Sequence, residues 1–244
     1  MFKQSHALAH KSFKVMLAGA AALTALAPNA FAADFDQPAP SAAYDWSGVY
    51  VGATAGYNWG KDSTTESGTW LGFPVNAVFG YDVDGMSGGV KAGVNFQSGS
   101  FVYGAEADIE AANITGGFVD RIQNAGIGRD RYDWLASIRA RMGYAVDRTL
   151  FYGTGGVSFA HIENTYSQVL IPPFASESFD KVRTGWTIGG GVDYALTDKV
   201  ILGAEYRYTN FNAFSNVSTT AFPGVTGEQD PSSHAIRLSV SYKF

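Results

Sequence analysis

The sequence R-L-S-V-S-Y-K-F occupies residues 237–244, and every second residue of it is apolar. Successive side chains of a β-strand point to opposite faces, so this alternation predicts a strand with one apolar face and one polar face. The apolar face is formed by Leu238, Val240, Tyr242 and Phe244. An apolar face that packs into a protein core indicates a soluble barrel, whereas one that meets hydrocarbon indicates a membrane barrel. Other parts of the chain decide between the two.

The first residues carry the pattern of a secretory signal peptide. Lysines at positions 3, 11 and 14 precede an apolar run of 13 residues, and the small-residue motif A-F-A ends at Ala32. A transmembrane helix needs roughly 20 apolar residues, so the run is too short for an anchor. The pattern predicts a signal peptide over residues 1–32, cleaved after Ala32 or Ala33. Residues 33–45, rich in Pro and Ala, are a predicted disordered linker.

The composition excludes several classes of protein. Loss of the three leader lysines changes the formal net charge from -5 to -8, and no Lys/Arg cluster remains, which argues against a nucleic-acid partner. The sequence has no cysteine, and therefore no disulfide. No apolar run after the leader approaches 18 residues, so a helical membrane protein is excluded. The 29 glycines and 14% aromatic residues suit a β protein with tight turns.

Eight segments show the same alternation, and they are longer than the five or six residues usual in soluble strands. They are residues 46–59, 86–97, 101–111, 132–145, 150–163, 182–196, 200–211 and 233–244. Long loops are predicted at residues 60–85, 113–131, 164–180 and 212–232, and short turns at 98–100, 146–148 and 197–198. The pattern predicts an all-β fold over residues 46–244, an eight-stranded antiparallel up-and-down transmembrane β-barrel with both chain ends beside the short turns.

Aromatic residues on the apolar faces lie near strand ends, whereas strand middles carry smaller aliphatic residues. Examples are Phe96, Tyr103 and Tyr194 toward the short turns and Trp59 and Trp186 toward the long loops. A soluble core would place its bulk in the middle, but aromatic belts at both ends are typical of membrane interfaces. About twelve residues at roughly 3.3 Å each, tilted by about 40°, also rise about 30 Å, enough to cross the hydrocarbon. The apolar face is therefore predicted to meet lipid.

The polar face is predicted to line a narrow lumen. It is rich in glycine, including Gly93 and Gly191, and an eight-stranded barrel has room only for small residues beside large ones. Charges of both signs lie at similar distances from the short turns on neighbouring strands, which predicts a network of ion pairs. The alternative is a set of unrelated charges on a solvated face. Arg237 is expected to pair with Glu205. The predicted lumen network consists of Lys91, Glu106, Asp108, Glu110, Arg139, Arg141, Glu205, Arg207 and Arg237.

Several strand motifs resemble those of the alphaproteobacterial porin-like outer-membrane protein family. They include W-S-G-V-Y-V-G at 46–52, S-I-R-A-R-M-G-Y at 137–144, G-W-T-I-G-G-G-V-D-Y-A-L-T at 185–197, L-G-A-E-Y-R-Y at 202–208 and the terminal V-S-Y-K-F. This family includes major surface antigens and haemin-binding proteins, and it is related in architecture to the OmpA and Opa barrels. The resemblance covers every predicted strand but none of the long loops.

The resemblance implies an integral barrel in the outer membrane of a Gram-negative bacterium, with a structural and surface-exposed role in the envelope. Outer-membrane lipid and lipopolysaccharide are its implied surroundings, and the barrel-assembly machinery is the implied partner in insertion. The implied assembly signal lies in the last strand and consists of Leu238, Val240, Tyr242 and the terminal Phe244.

Two binding or transport functions stay open beside the structural one. A narrow porin would pass small solutes or ions through the lumen. A haemin-binding surface protein is suggested by the resemblance alone. Because haem is too wide for a filled eight-stranded lumen, the external loops would carry it, with Tyr81, Tyr166 or His161 as axial ligands. A host ligand at these loops is a further expectation.

A lipid-modifying hydrolase is the remaining alternative. Its serine and histidine would be His234 with Ser232 or Ser233, or His161 with Ser158 and Glu163. Neither set fixes a base, an orienting acid and an oxyanion hole together, so no enzyme is predicted. The two histidines after the leader also lack a second His or Cys at ligand spacing, so neither a zinc site nor any other cofactor is predicted.

Overall fold

The computed structural model describes residues 44–119, 126–170 and 172–244, which form β-strands joined by turns. The strands in these residues are β1 (Gly48–Trp70), β2 (Phe73–Ser98), β3 (Phe101–Val119), β4 (Gly126–Val146), β5 (Thr149–Gln168), β6 (Ala175–Ala195), β7 (Val200–Phe211), β8 (Phe214–Val217), β9 (Val225–Gln229) and β10 (Ser232–Lys243). No helix in this part of the chain is long and apolar enough to cross a membrane. The predicted signal peptide, its cleavage at Ala32 or Ala33, and linker residues 33–43 lie outside the described residues.

Eight of the strands close into a ring, which confirms the predicted eight-stranded antiparallel barrel. Strands β1 to β7 pair in chain order, β7 pairs with β10, and β10 pairs with β1. The closing register sets Ala53 opposite Val240 and Tyr57 opposite Ile236. A closed ring has no edge strand, so its backbone polar groups are satisfied by neighbouring strands even within hydrocarbon.

The end of the barrel with the short turns also holds the first described residues. Tyr44, which the sequence assigns to the disordered linker, packs against Trp46 with ring centroids 4.8 Å apart. Its hydroxyl donates a hydrogen bond to the carbonyl of Asp198 at 3.1 Å. The rings of Tyr44 and Trp46 therefore pack into the barrel base, although β1 begins only at Gly48.

Most residues that were predicted to form long loops belong to β-hairpins that continue the barrel. β1 runs to Trp70 and β2 starts at Phe73, so the predicted loop 60–85 is almost entirely strand. Leu71 and Gly72 form the turn with φ of 52° and 82°, the left-handed backbone that two-residue hairpins favour. β8 and β9 form a further hairpin that pairs along β1 beyond the end of β10. Beyond the membrane an outward face needs no apolar residues, so the alternation fades while the backbone pairing continues.

The strand lengths show how far the barrel projects. β1 has 23 residues and β2 has 26. At roughly 3.3 Å per residue and a tilt of about 40°, β1 rises about 60 Å, about twice the thickness of a bilayer's hydrocarbon. The hairpin end of the barrel therefore extends well past the membrane.

The outward face of the membrane-spanning part is apolar, with aromatic residues at its margins. Leu238, in the middle of β10, is 62% exposed. Toward the short turns, the rings of Phe96 and Tyr103 stack with centroids 5.7 Å apart, and toward the hairpins those of Trp186 and Tyr208 pack at 5.4 Å. A continuous exposed apolar band between two aromatic margins is the surface of a membrane barrel.

Candidate functional site: the closed lumen

Apolar side chains close the short-turn end of the lumen. Trp46 is only 1% exposed, and its backbone N–H donates a hydrogen bond to Gln97 Oε1 at 2.7 Å. The base cluster, as this group is called below, consists of Tyr44, Trp46, Val102, Ala145, Leu150, Tyr152, Ala195 and Ile201. Tyr44 and Trp46, just before β1, thus point into the barrel and help to fill its base.

A network of charged side chains fills the middle of the lumen. The structure places all nine residues predicted for it on the inward face, buried from solvent. Asp193 is a further member that the sequence-based prediction did not include. The lumen network joins five cations to five carboxylates: Lys91, Arg139, Arg141, Arg207 and Arg237 with Glu106, Asp108, Glu110, Asp193 and Glu205. Buried charges are costly unless they are paired, and here the numbers of the two signs are equal.

Arg139 lies at the centre of the lumen network. Its Nη2 is 2.5 Å from Glu106 Oε1 and 3.0 Å from Asp108 Oδ1, both on the neighbouring strand β3. Its Nη1 is 2.9 Å from Glu205 on β7. Because β5 and β6 lie between β4 and β7 in the sheet, the contact with Glu205 crosses the lumen. One guanidinium therefore connects opposite sides of the barrel wall.

Arg207 and Arg237 also reach across the lumen to β3. Arg207 Nε is 2.8 Å from Glu205 on its own strand, and Nη2 is 2.8 Å from Asp108. The structure corrects the predicted pairing of Arg237 with Glu205: their Cα atoms are register partners, but Arg237 Nη1 lies 2.9 Å from Glu110. Other arginines already occupy both Glu205 oxygens, and the long side chain of Arg237 extends to Glu110 instead.

Arg141 links the lumen network to the base cluster. Its guanidinium lies 3.7 Å above the ring of Tyr152, forms an ion pair with Asp193 and is 3.4 Å from Glu106. The hydroxyl of Tyr50 donates a hydrogen bond to the same glutamate at 2.7 Å. The sequence-based prediction did not include Tyr50, Tyr152 and Asp193. It considered only glycines and those charges that lie at similar distances from the short turns on neighbouring strands. Strict alternation along β1, β5 and β6 is the signal that could have found them.

Two glycines make room for the inward-facing tyrosines. A β-carbon added at Gly93 would lie 2.4 Å from the Tyr50 hydroxyl, and one added at Gly191 would lie 2.7 Å from the Tyr152 hydroxyl. Both distances are shorter than any van der Waals contact, so a larger residue would displace the ring. The glycines of the inward face therefore allow large polar side chains to fill a narrow lumen.

A second apolar group closes the lumen on the hairpin side of the network. This outer cluster consists of Val83, Ile114, Tyr132, Leu135, Ala160, Ile162 and Phe211. Its members are inward-facing residues of β2, β3, β4, β5 and β7. The lumen therefore contains three layers in series: the base cluster, the lumen network and the outer cluster.

Two buried carboxyl groups lie beyond the outer cluster, outside the membrane-spanning part of the barrel. Asp130 accepts hydrogen bonds from the Tyr81 hydroxyl and, at 2.7 Å, from Asn164 Nδ2. Neither oxygen of Asp62 accepts a hydrogen bond of good geometry in the described residues, although the Asp130 carboxyl group lies within hydrogen-bonding reach. Burial raises the pKa of both carboxyl groups because desolvation disfavours their charged forms, and the charge of Asp130 raises the pKa of Asp62 further.

The first pair of suggested hydrolase residues is separated by the fold. His234 Nδ1 lies 2.7 Å from the Tyr206 hydroxyl, and its ring stacks on Trp59. Ser232 Oγ donates to the carbonyl of Lys61 at 3.4 Å. Ser233, next to His234 in the same strand, points to the opposite face of the barrel wall. Neither serine hydroxyl is hydrogen-bonded to this histidine in the described structure.

The second pair is separated in the same way. His161 is held on the outward face between two aspartates, with Nδ1 3.3 Å from Asp133 and Nε2 2.5 Å from Asp180. Ser158 faces the lumen, where its hydroxyl donates to the carbonyl of Ala136 at 3.2 Å. Glu163 shares the outward face of His161, but no hydrogen bond joins the two in the described residues.

The three suggested axial ligands for haem lie on two sides of the barrel wall. Tyr81 and Tyr166 face the outer lumen, where Tyr81 donates to Asp130 and the Tyr166 hydroxyl accepts a hydrogen bond from Gln229 Nε2 at 2.7 Å. His161 faces outward, and its ring stacks on Trp134. The two tyrosines therefore lie on the lumen side of the wall and the histidine on its outer side.

The residues of the implied assembly signal form one exposed row along β10. Leu238, Val240, Tyr242 and Phe244 are all on the outward, apolar face. The rings of Tyr242 and Phe244 contact edge to face with centroids 5.2 Å apart, and the Phe244 N–H donates to the Val49 carbonyl at 3.0 Å. The row lies at the seam where β10 closes the ring on β1.

Comparison with known proteins gives one matching family and several curated relatives. A family model described as an outer membrane protein beta-barrel domain matches residues 18–244. The 31 kDa outer-membrane immunogenic protein of Brucella melitensis biotype 1 is 31% identical over 247 residues, which cover 94% of this chain and 99% of that protein. The 25 kDa outer-membrane immunogenic protein of Brucella abortus biovar 1 is 30% identical over 243 residues, with 96% and 100% covered. These relatives confirm the resemblance drawn from the strand motifs.

A more distant relative and a solved structure agree with this fold. The 22 kDa outer membrane protein of Rhizobium leguminosarum bv. viciae is 29% identical over 170 residues, which cover 69% of this chain and 65% of that protein. The crystal structure of the outer membrane protein OprG from Pseudomonas aeruginosa covers 81% of this chain and 97% of its own, with a TM-score of 0.50 and 11% identity. At this identity the similarity to OprG concerns the fold alone.

Proposed function

We propose a structural, non-conducting role at the cell surface for this chain, which belongs to the outer membrane protein beta-barrel domain family. The chain is an outer-membrane β-barrel protein of a Gram-negative bacterium, and its relatives include outer-membrane immunogenic proteins. In this role the barrel contributes to the envelope and presents its long hairpins to the outside. The observation that carries the proposal is the lumen network, whose ion pairs cross the barrel where a pore would have to run.

The closed lumen favours this role over that of a narrow porin. A solute would have to displace the base cluster, then separate the buried ion pairs, and then pass the outer cluster. Breaking a buried pair leaves an uncompensated charge, which costs about 3–5 kcal/mol for each pair. Among the described residues, the lumen therefore has no continuous polar path of the kind that lines a porin channel.

Solute uptake by liposomes tests the choice between the two functions. Liposomes that contain the refolded barrel are expected to take up small sugars and amino acids no faster than protein-free liposomes. Swelling comparable to that of liposomes with a general porin would support the porin function instead. Gel migration before and after boiling verifies that the barrel is folded, because a folded membrane barrel resists detergent and shifts on heating.

The chain is proposed to have no catalytic function. This is supported by the separation of Ser233 from His234 and of Ser158 from His161, since a nucleophile and its base must lie within hydrogen-bond reach. The variants Ser233→Ala and His234→Ala are expected to leave the lipid A profile of the outer membrane unchanged. A change in that profile in either variant, at equal barrel abundance, would support the hydrolase function.

Haemin binding at the hairpins receives no support from the described contacts. Tyr81 and Tyr166 are engaged inside the outer lumen, and His161 is held by two aspartates on the other face of the wall. A haem titration of the refolded barrel is therefore expected to show no Soret shift. A saturable shift that is lost in His161→Ala would support a surface haem site.

The proposed partners are those of the membrane and of assembly. Lipid and lipopolysaccharide would contact the outward apolar face, and the assembly machinery would recognise the exposed row on β10. Phe244→Ala is expected to lower outer-membrane abundance several-fold while secretion continues. The matched control is Phe101→Ala, which removes an aromatic ring of similar exposure from β3. Equal abundance of both variants would contradict a role for Phe244 in assembly.

A further inference from the structure

Four buried oxygen atoms on β1 and β9, beyond the outer cluster, have no hydrogen-bond partner in the described part of the chain. They are Asp62 Oδ1 and Oδ2, Thr64 Oγ1 and Gln229 Oε1. The three side chains are at most 1% exposed. Unpartnered buried polar atoms are uncommon in folded proteins, and several on adjacent residues indicate a missing interaction.

The strand register brings these oxygens to one place in the outer lumen. Thr64 on β1 lies opposite Gln229 on β9. Asp62, two residues earlier on the same face of β1, lies opposite Tyr81 on β2. The Tyr81 hydroxyl donates to Asp130 on β4, whose carboxyl group is within hydrogen-bonding reach of Asp62 and Gln229. We call these five residues the outer oxygen site.

The two carboxyl groups of the outer oxygen site lack a cation partner. No ion pair in the described part of the chain involves Asp62 or Asp130, whereas every carboxylate of the lumen network has an arginine or lysine. The inward-facing Arg183 packs 3.4 Å over the Phe214 ring and donates to Asn216 at 3.5 Å instead. The site therefore has the ligands for a cation but no protein cation to pair with them.

We propose that the outer oxygen site binds one Ca²⁺ ion, with Asp62 and Asp130 as charged ligands and Thr64 and Gln229 as neutral oxygen ligands. A divalent ion offsets two carboxylates. Ca²⁺ accepts about six to eight oxygen ligands in irregular geometry, whereas Mg²⁺ requires a near-ideal octahedron and keeps several waters. Carboxylate, hydroxyl and amide oxygens from three strands, in a buried and irregular arrangement, match Ca²⁺. The ion would join β9 to β1 and β4, and so fix the β8 and β9 hairpin to the barrel wall.

Calorimetric titration of the refolded barrel with CaCl₂, after removal of divalent ions by a chelator, tests the proposal. The expected result is one Ca²⁺ bound per barrel, together with a higher unfolding temperature in Ca²⁺ than in chelator. Asp62→Asn is expected to weaken the affinity at least about tenfold, because ligand charge sets Ca²⁺ affinity. The matched control is Asp82→Asn, which removes an exposed carboxylate opposite Lys61, on the outward face of β2, and should leave binding unchanged.

Three results would overturn the proposal. The first is no Ca²⁺ binding by the unaltered barrel up to about 10 mM, because the two buried aspartates would then be neutralised by a shared proton instead of a metal ion. The second is an equal loss of binding in Asp62→Asn and Asp82→Asn, which would indicate surface adsorption. The third is tighter binding of Mg²⁺ than of Ca²⁺. If Asp62→Asn fails to fold in the gel-shift assay, the Ca²⁺ affinity of Thr64→Val and of Gln229→Leu is measured instead, and a loss of affinity is expected in both. The test does not depend on whether the barrel conducts.

Discussion

Arg139 Nη1 lies 2.9 Å from both carboxylate oxygens of Glu205, although the strands that carry them, β4 and β7, are not neighbours in the barrel. The two side chains meet inside the lumen, where both are buried. Charged residues along the wall of a wide barrel leave an aqueous path between them, but a contact between opposite walls closes that path. The ion pairs thus account for both the stability of the barrel interior and its expected lack of conductance.

Loss of Arg139 is expected to destabilise the barrel strongly. Arg139→Met leaves Glu106 and Glu205 without their central partner, and breaking a buried ion pair by removing one member costs about 3–5 kcal/mol. The free energy of unfolding can be measured by urea denaturation of the barrel in lipid vesicles. The control is Arg131→Met, because Arg131 is 2.9 Å from Asp133 but 62% exposed. Its expected cost is at most about 1 kcal/mol, and similar costs for the two variants would contradict the account.

Neighbouring glycines on β6 are expected to differ sharply in their tolerance of alanine. Gly191→Ala would place a β-carbon 2.7 Å from the Tyr152 hydroxyl and 2.4 Å from the Ala204 carbonyl, so we expect an overpacking cost of about 1–3 kcal/mol. Gly190→Ala serves as the control, because its β-carbon would be 3.4 Å from the nearest atom, the Tyr152 carbonyl. Urea denaturation compares the two variants. Equal stabilities would show that the Tyr152 ring is not fixed in the lumen.

The hairpin end of the barrel is expected to face the outside of the cell. An epitope inserted between Leu71 and Gly72, at the tip of the first hairpin, should be detected by antibody on intact cells. The same epitope inserted between Gly99 and Ser100, in a short turn, should be detected only after the outer membrane is permeabilised. Detection of the second epitope on intact cells, with the first one hidden, would reverse the orientation.

The sequence pattern predicted the membrane-spanning part of the barrel well because the two faces of each strand have different surroundings there. Lipid requires apolar residues on one face, and the narrow lumen requires glycine and paired charges on the other. Residues such as Leu238 and Arg139 could therefore be assigned to a face from alternation alone. Individual partners could not, since a long arginine such as Arg237 can reach several carboxylates, and packing selects among them.

The outer lumen was not predictable in the same way. Around Asp62 on β1, both faces carry polar residues (K-D-S-T-T-E-S at 61–67), so this stretch resembles a loop in composition. On β4 the register shifts between Tyr132 and Trp134. This irregularity reverses the alternation, so that Asp130 and Tyr132 face inward together with Ser137 and Arg139. The sequence pattern does not show such a bulge, and the outer oxygen site depends on it.

Single-channel recording across a planar lipid bilayer tests the closed lumen most directly. Folded barrel, verified by its shift on heating, is added to a bilayer in which a general porin has shown current steps under the same salt and voltage. We expect the bilayer current to stay at its baseline as the barrel inserts, because ion pairs such as that of Arg139 with Glu205 cross the lumen. Reproducible current steps of uniform size from the unaltered barrel would contradict this expectation.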